Sequence, residues 1–404
     1  MSEQHYPHIV VGGGISGLSA AHYAAQAGID TMLLEREGRL GGCMQTHTFT
    51  QLDDFWVEAG SHSCFNSYGN LLEIMERLDL LRNITAKAKQ GYRLWHGGER
   101  KSVLSALHVP ELMLSLPRLF RQSKSACSVS EYYGTGLGKR NYRDLFGPAF
   151  RSVICQTADD FPAEALFRKK PRRKEVLRSF TMPHGLSDIP SAIAEGSGFR
   201  IDSGRAVSAI ASGGNGFIVQ REDGSERTCE HLTLAVPPDV AARLLKDVAP
   251  DAATILDRIG MAEIDTLLLA YKKADLTVPE MAGLISVDGA FLSAVSRDFM
   301  ADDRYRGFAF HFPGGRLTPV ERVDAACAAL DVSPDRAAAV AHATNRLPSL
   351  RKGHQRLIAA LDQTLATRPL AATGNWFLGV SIEDCITRSR SEHERLFTGG
   401  KAAA

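Results

Sequence analysis

The hydrophobic residues at the start of the chain form two short runs on either side of a small-residue segment. Residues 9–11 are a β-branched run typical of a buried parallel strand, and a glycine-rich turn follows at once. Small residues over 18–25 then predict a helix that Gly28 closes. A second apolar run, 31–34, ends at Glu35. The order strand, turn, helix, strand and acid predicts a parallel βαβ unit.

Further along the chain, alternating patterns predict a mixed α/β protein. A hairpin is expected at 92–98, a β-meander over 199–236, and a strand, turn and helix start over 374–386. The stretch from 256 to 354 predicts strands alternating with alanine-rich helices. Those strands are at 266–271, 291–295 and 307–312, and the helices are at 320–330 and 335–341.

The glycine turn has the composition of a dinucleotide site. Gly12 permits a tight turn, Gly14 lets the backbone approach a pyrophosphate, and Gly17 lets the helix pack closely on the strand. The helix start offers unpaired N–H groups to the phosphates, and Glu35 can accept hydrogen bonds from a ribose. The residues expected to form this part of the site are Gly12, Gly13, Gly14, Ile15, Ser16, Gly17 and Glu35.

A second helix start lies near the end of the sequence. Ser381 and Asp384 can both cap a helix that begins there. As at the glycine turn, the N-terminus of such a helix points its positive end at a polar group. We expect that group to be part of the same cofactor.

The residues after the second strand resemble a flavoenzyme signature. Glu35, Arg36, Arg39, Gly41 and Gly42 match the Glu-Arg-x-x-Arg-x-Gly-Gly pattern of the amine oxidase, phytoene desaturase and protoporphyrinogen oxidase superfamily. The resemblance implies bound FAD, with the glycine pair passing under it; NAD(P) is the alternative cofactor. The usual next residue is Arg or Trp, and here it is Cys43.

Within that superfamily the chain resembles the protoporphyrinogen and coproporphyrinogen oxidases. The most specific match is the segment Gly-x-x-x-x-Gly-Val-x-x-x-Asp-Cys-Ile over 374–386. The resemblance implies that the Glu-x-Gly segment at 58–60 passes the flavin and that Val207 presents its backbone to the adenine. It also places the helix start at 381 beside the flavin pyrimidine edge. The further cofactor residues implied are Cys43, Gly60, Ser61, His62, Val207, Gly379, Val380, Ser381 and Ile382.

The fold implied is a Rossmann-like FAD-binding domain of the glutathione reductase type, joined to an α+β substrate domain. We predict that 1–88, 185–255 and 355–404 build the FAD-binding domain. Segment 89–184 is then a helical substrate or membrane-associating part, and 256–354 supplies the sheet and helices of the substrate domain.

The reaction implied is hydride transfer from a porphyrinogen carbon to flavin N5, with oxygen or a quinone as electron acceptor. No catalytic acid or base is required at a fixed spacing, so the sequence identifies none. Tyr92 and Arg93 are candidate partners of the substrate propionates, the alternative being a surface hairpin. Two other functions stay open: an amine oxidase or desaturase, and a flavin-binding scaffold without turnover.

Composition limits the classes of partner and compartment. The 404 residues carry a net charge of +1, which gives no case for nucleic acid binding. Seven scattered cysteines without CxxC or zinc spacing indicate a reducing cytoplasm and no structural metal. The sequence has no N-terminal apolar segment typical of a signal peptide and no apolar run long enough to span a bilayer.

Two stretches in the middle of the chain suggest contact with a membrane surface. Residues 107–120 are markedly apolar with basic flanks, which fits either a core helix or a membrane-surface element. Residues 168–174 hold six cations, which fits a solvated loop, anionic headgroups or an anionic substrate. We therefore expect a cytoplasmic protein, with peripheral membrane contact as one alternative.

Overall fold

The computed structural model describes residues 4–399. Its strands are β1 Gln4–Val11, β2 Thr31–Leu34, β3 Thr46–Phe49, β4 Phe55–Glu58, β5 Cys64–Phe65, β6 Thr85–Ala86, β7 Tyr92–His96, β8 Glu99–Ser102, β9 Ser179–Thr181, β10 Arg200–Asp202, β11 Val207–Gly213, β12 Gly216–Arg221, β13 Glu226–Leu234, β14 Gly260–Lys272, β15 Gly283–Ser286, β16 Ser293–Ser296, β17 Tyr305–Pro313, β18 Ala337–Ser349 and β19 Leu370–Ala372. Its α-helices are α1 Ile15–Gln26, α2 Gly69–Arg77, α3 Val109–Leu119, α4 Val129–Leu137, α5 Lys139–Asn141, α6 Gly147–Ile154, α7 Asp188–Gly196, α8 Pro238–Leu245, α9 Pro250–Leu256, α10 Pro319–Leu330, α11 His354–Leu365 and α12 Ile382–Phe397.

The first large sheet is built from three separated parts of the chain. Its strand order is β10-β2-β1-β13-β12-β11, and β19 pairs with β13. The strands β10, β2, β1, β13 and β19 run parallel to their neighbours. Val11 is paired with Leu34 at the ends of β1 and β2, so Gly12 and Glu35 leave the sheet at the same edge.

This sheet confirms the predicted α/β fold with a cofactor domain assembled from discontinuous segments. The domain boundaries stay a prediction, and their first three and last five residues lie outside the described part of the chain.

The second large sheet combines both inserted segments. Its order is β18-β14-β17-β16-β15-β7-β8, so the hairpin predicted at 92–98 joins strands from 260–349. The predicted helix at 335–341 is wrong. Those residues contain a short 3₁₀ turn and the start of β18, which pairs antiparallel with β14 from Gly260↔Ser349 to Tyr271↔Ala337. Ladder pairing outweighs the helix propensity of alanine here.

The apolar helix α3 is not a core helix, which was one of its two interpretations. Within it only Ser115 is buried, while Leu112 and Leu119 pack partly against the core. Leu114 and Phe120 are 77% and 83% exposed. Among residues 4–399, no helix is long and apolar enough to cross a bilayer.

Candidate functional site

The three motif glycines of the turn differ in how much room a side chain would have. Gly12 and Gly17 have none, and Gly14 has an open side. Gly12 has a φ of +109°, and a Cβ on it would lie 2.5 Å from the carbonyl oxygen of Ala235. A Cβ on Gly17 would overlap the carbonyl oxygen of Gly12. A Cβ on Gly14 would meet nothing nearer than 3.9 Å. Gly12 and Gly17 are therefore needed for packing, whereas the side of Gly14 is left open.

The N-terminus of α1 opens at the same place. Gly14 is its N-cap residue, and no side chain caps the helix. The backbone N–H groups of Ile15 and Ser16, in the first turn, thus lack intrahelical carbonyl partners. Together with the open side of Gly14, they form a cradle suited to a phosphate group.

Glu35 lies directly beside this cradle. Its Oε2 accepts a hydrogen bond from the backbone N–H of Gly13 at 2.5 Å, and its Oε1 accepts one from Glu37 at 2.9 Å. The backbone N–H of Arg205 donates to the carbonyl of Glu35 at 3.4 Å. The structure therefore brings the segment that leads into Val207 next to Glu35, as the adenosine end of the cofactor would require.

The glycine pair crosses over the turn. Gly41 forms a parallel bridge with Gly14, and its N–H donates to the carbonyl of Gly13 at 2.8 Å. Gly41 and Gly42 have φ angles of +98° and +56°, a conformation that glycine adopts without strain. Arg39 donates to the Gly42 carbonyl at 2.9 Å. Arg36, by contrast, is exposed and pairs only with Glu37 among the described residues.

Cys43 and His62 join two of the predicted segments. Nε2 of His62 donates to the carbonyl oxygen of Cys43 at 2.7 Å, which places the proton on Nε2. Burial lowers the pKa of His62 and raises that of the Cys43 thiol. A side chain at Gly60 would collide with the imidazole of His62. Residues 60–62 therefore have one tightly packed conformation against Cys43.

The carboxylate of Glu58, two residues before Gly60, hydrogen-bonds to two other chain segments. It accepts hydrogen bonds from the Leu186 N–H at 2.7 Å and from the Thr46 hydroxyl at 3.2 Å. Burial raises its pKa to about 7. Glu58 therefore connects the segment of Thr46 with the segment of Leu186.

The C-terminal segment packs on the start of α1. Ser381 is the N-cap of α12 and accepts a hydrogen bond from the Asp384 N–H at 3.1 Å. Ser389, two turns later, donates to the carbonyl of Ser16 at 2.8 Å. Gly379, Val380, Ser381 and Ile382 thus lie on a helix start anchored to the phosphate cradle.

The second sheet also carries a buried polar cluster that no motif in the sequence indicates. The Ser293 hydroxyl lies 2.9 Å from Nδ1 of His311 and 3.4 Å from the Ser61 hydroxyl. The thiol of Cys155 lies 3.5 Å from Ser293 and 3.7 Å from Ser61. Thr266, paired opposite His311, is fully buried, and its hydroxyl has no partner among the described residues. These side chains extend a polar row from the second sheet to Ser61.

The direction of the hydrogen bonds in this cluster follows from His311. Its Nε2 faces the carbonyl of Ala59 at 3.4 Å, and a carbonyl can only accept. Nδ1 is then the acceptor for Ser293, and Ser293 can accept from Ser61. Burial lowers the pKa of His311 to about 4, so the ring is neutral at pH 7. No local pattern signals this cluster, because its members lie 94 or more residues from Ser61 in sequence.

Tyr92 and Arg93 lie on β7, outside the cofactor cradle. Tyr92 pairs with Gly283, which pairs with Val295, which pairs with Ala309 on β17. Since Ala309 is two residues from His311, Tyr92 shares the face of His311, and Arg93 points to the opposite face. Both side chains are exposed. Their role in substrate binding stays a prediction.

A comparison with known families matches residues 15–404 to the family of flavin containing amine oxidoreductases. The chain belongs to this family. Its cofactor is therefore FAD, as predicted. The open side of Gly14, the uncapped start of α1 and the position of Glu35 all fit a dinucleotide, so the residues present suit this cofactor.

Curated relatives of this chain differ in what their names describe. It is 30% identical over 309 residues to "Probable flavin-containing monoamine oxidase A" of Dictyostelium discoideum, covering 66% of this chain and 65% of the relative. It is 38% identical over 108 residues to carotenoid phi-ring synthase of Streptomyces griseus, covering 26% of this chain and 20% of the relative. The matches thus span less than two thirds of each relative's length.

Among solved structures, a "Putative protoporphyrinogen oxidase" from Exiguobacterium sp. 255-15 has the same fold. The TM-score is 0.78 at 17% identity, covering 99% of this chain and 100% of that one. A likeness at 17% identity shows the fold alone, so the substrate has to be inferred from the site.

Proposed function

We propose that this protein oxidises a porphyrinogen, either protoporphyrinogen IX or coproporphyrinogen III, to the porphyrin in heme biosynthesis. Bound FAD would supply the hydride acceptor, flavin N5. The chain's own residues hold the cofactor: α1 and Gly14 at the pyrophosphate, Glu35 at the ribose, and the start of α12 at the flavin. The resemblance of segment 374–386 to the porphyrinogen oxidases supports this substrate class.

A cavity on the His311 side of the second sheet is the observation that carries the choice of substrate. It measures about 350 Å³, and its lining combines apolar residues with two cations and one acid: Leu94, Leu107, Val287, Lys101, Arg140 and Asp144. Leu94 follows Tyr92 by two residues and so shares its face of the sheet. Apolar walls with cations beside them suit an apolar macrocycle that carries carboxylates.

The polar row of Ser61, Ser293 and His311 would fix which atom of each side chain carries the proton and which accepts. His311 is neutral and accepts from Ser293, so Ser61 can donate toward Ser293 and present its lone pairs to the opposite side. A substrate N–H that becomes acidic as the ring is oxidised could then donate to the Ser61 oxygen. In this proposal Ser61 is the group that meets the substrate, and Ser293 and His311 position it.

The second candidate is the oxidation of an amine. It is favoured by the similarity to the Dictyostelium relative, whose name describes a monoamine oxidase. An amine would need an unprotonated nitrogen at the flavin, and the neutral, buried surroundings of His311 are compatible with that form.

The test is anaerobic reduction of the flavin in the purified holoprotein. We expect protoporphyrinogen IX or coproporphyrinogen III to bleach the visible flavin absorbance, and putrescine, benzylamine and phytoene to leave it unchanged. Oxygen or a quinone should then restore the colour, which identifies the electron acceptor. Bleaching by an amine alone would replace the porphyrinogen proposal with the second candidate. Bound FAD that no substrate reduces would favour a scaffold without turnover.

We further propose that α3 and the neighbouring cations attach the protein to an anionic membrane surface. Lys124 donates to the carbonyls of Leu166 and Phe167, which places the exposed Phe167 beside the segment that follows α3. The basic run starts at the next residue, so the apolar and cationic parts are continuous. Four of its six cations are exposed: Arg168, Lys169, Arg172 and Lys174.

Replacing these four cations with Gln should abolish co-sedimentation with anionic liposomes at low salt. Each cation near such a surface contributes about 1 kcal/mol, and the interaction weakens as salt screens it. The matched control replaces four exposed cations elsewhere and should bind normally: Lys246, Arg258, Arg316 and Arg356. If the unaltered protein stays in the supernatant, the run is a solvated loop.

A further inference from the structure

The first turn of α12 carries two adjacent acids, Glu383 and Asp384. Acids at this place stabilise a helix because they face its positive end. The same charges oppose the second role of this helix start, which rests on the proposed function: stabilising negative charge on the flavin pyrimidine edge as the flavin is reduced. Each carboxylate therefore needs a separate source of positive potential.

Glu383 finds that source at another helix. Its Oε1 accepts from the backbone N–H of Asn70 at 2.9 Å, and its Oε2 accepts from that of Leu71 at 3.1 Å. Both donors belong to the first turn of α2. The carboxylate of Glu383 is thus directed away from the start of α12 and held at the positive end of α2.

The positive charge near Asp384 comes from one lysine, Lys170. Nζ of Lys170 lies 2.7 Å from Oδ1 of Asp384 and 3.2 Å from the hydroxyl of Ser381. The side chains of Lys170 and Asp384 are only 21% and 8% exposed. The ammonium also lies 5.5 Å from the centre of the Tyr68 ring. Its neighbour Lys169 is exposed. Lys170 is thus drawn inward, out of the basic run.

We propose that Lys170 balances the charge of Asp384 so that the start of α12 stays positive toward the flavin and raises its reduction potential. The Lys170–Asp384 pair is neutral as a unit, so the loss of either member leaves one uncompensated charge in a weakly screened place. The two losses must therefore shift the potential in opposite directions. A salt bridge that only held the two segments together would not shift the flavin potential in opposite directions when one or the other partner is removed.

The experiment compares Lys170→Met, Asp384→Asn and the double variant, with Lys169→Met as the matched control. The readouts are the flavin midpoint potential and the Kd for sulfite, which adds to oxidised flavin and leaves negative charge on its pyrimidine edge. We expect Lys170→Met to raise the sulfite Kd about tenfold and Asp384→Asn to lower it about tenfold. For a two-electron couple a tenfold change corresponds to about 30 mV. The double variant and Lys169→Met should stay near the unaltered protein.

Equal potentials in the two single variants, or shifts of the same sign, would overturn the inference. The Ser381 hydroxyl donates to Oδ2 of Asp384 at 2.6 Å. Asp384→Asn keeps an oxygen for this hydroxyl and a side chain of the same size, so it carries the test if Lys170→Met is poorly folded. The proposed function fails separately: FAD content is measured first, and reduction by porphyrinogen is a different assay. A potential shift in a protein that no porphyrinogen reduces would retain the role of Lys170.

Discussion

Gly14→Ala is expected to give a stably folded protein that has lost its FAD. The new methyl group would meet only the Cα of Gly42, at 3.9 Å, so the apoprotein has room for it. The same methyl group would occupy the open side of the cradle, where the backbone must approach the pyrophosphate. Losing that close contact with a charged group costs about 3 kcal/mol, or roughly 100-fold in affinity. Flavin absorbance per chain and the Tm of the apoprotein measure the two effects separately.

Alanine substitutions of two other glycines serve as controls for Gly14→Ala. Gly17→Ala places its methyl group onto the Gly12 carbonyl and should lower the yield of folded protein itself. Gly38→Ala has nothing within 4 Å and an ordinary backbone conformation, so it should keep both FAD and stability. A yellow Gly14→Ala protein with normal FAD content would show that the cofactor does not approach the backbone at this residue.

His311→Gln should make the protein less sensitive to acid. The folded imidazole has a pKa of about 4, whereas the unfolded one has its ordinary value of 6.5. Between these values the unfolded chain binds a proton that the folded protein refuses, so stability falls as the pH falls. By pH 5 the loss from this one group is about 2 kcal/mol. Denaturant unfolding at pH 7.5 and pH 5 should show the difference between the two pH values shrinking by that amount in the variant.

The comparison of pH values isolates the charge effect from the lost hydrogen bonds. Removing the contacts of His311 with Ser293 and Ala59 lowers stability at both pH values alike. His184→Gln, which replaces an exposed histidine in the same way, serves as the control for the substitution itself. If His311→Gln loses as much stability on acidification as the unaltered protein, the ring does not resist protonation in the folded state.

The cofactor cradle was predictable because its signals are local. The glycine turn, the helix start and the acid at the end of the next strand all lie between Gly12 and Glu35, and each has one physical role. The structure brings Gly14, Glu35 and Gly41 together as the pattern indicates. The second anchor at Ser381 was accessible in the same way, through its capping residues.

The remaining features depend on contacts between distant residues. The strand β18 was predicted as a helix at its start because its alanines favour a helix locally, and only the ladder with β14 overrules them. His311 and Ser293 are unremarkable within their own strands, and their meeting with Ser61 depends on how the two sheets pack. Lys170 looks like the other cations of its run, and only the position of Asp384 distinguishes it.

The pairing of β7 with β15 has a consequence for how the protein is made. These strands lie about 190 residues apart in the chain yet run side by side, from Tyr92↔Gly283 to Ser286↔Trp95. On a ribosome the hairpin of β7 and β8 must therefore wait, unpaired on one edge, until β15 has emerged. The first sheet waits longer still, because β19 pairs with β13 from Leu232↔Leu370 to Leu234↔Ala372 and so must be made before the sheet is complete. Loop closure over such distances is slow, so FAD should be captured only after β19 has been made and has paired with β13.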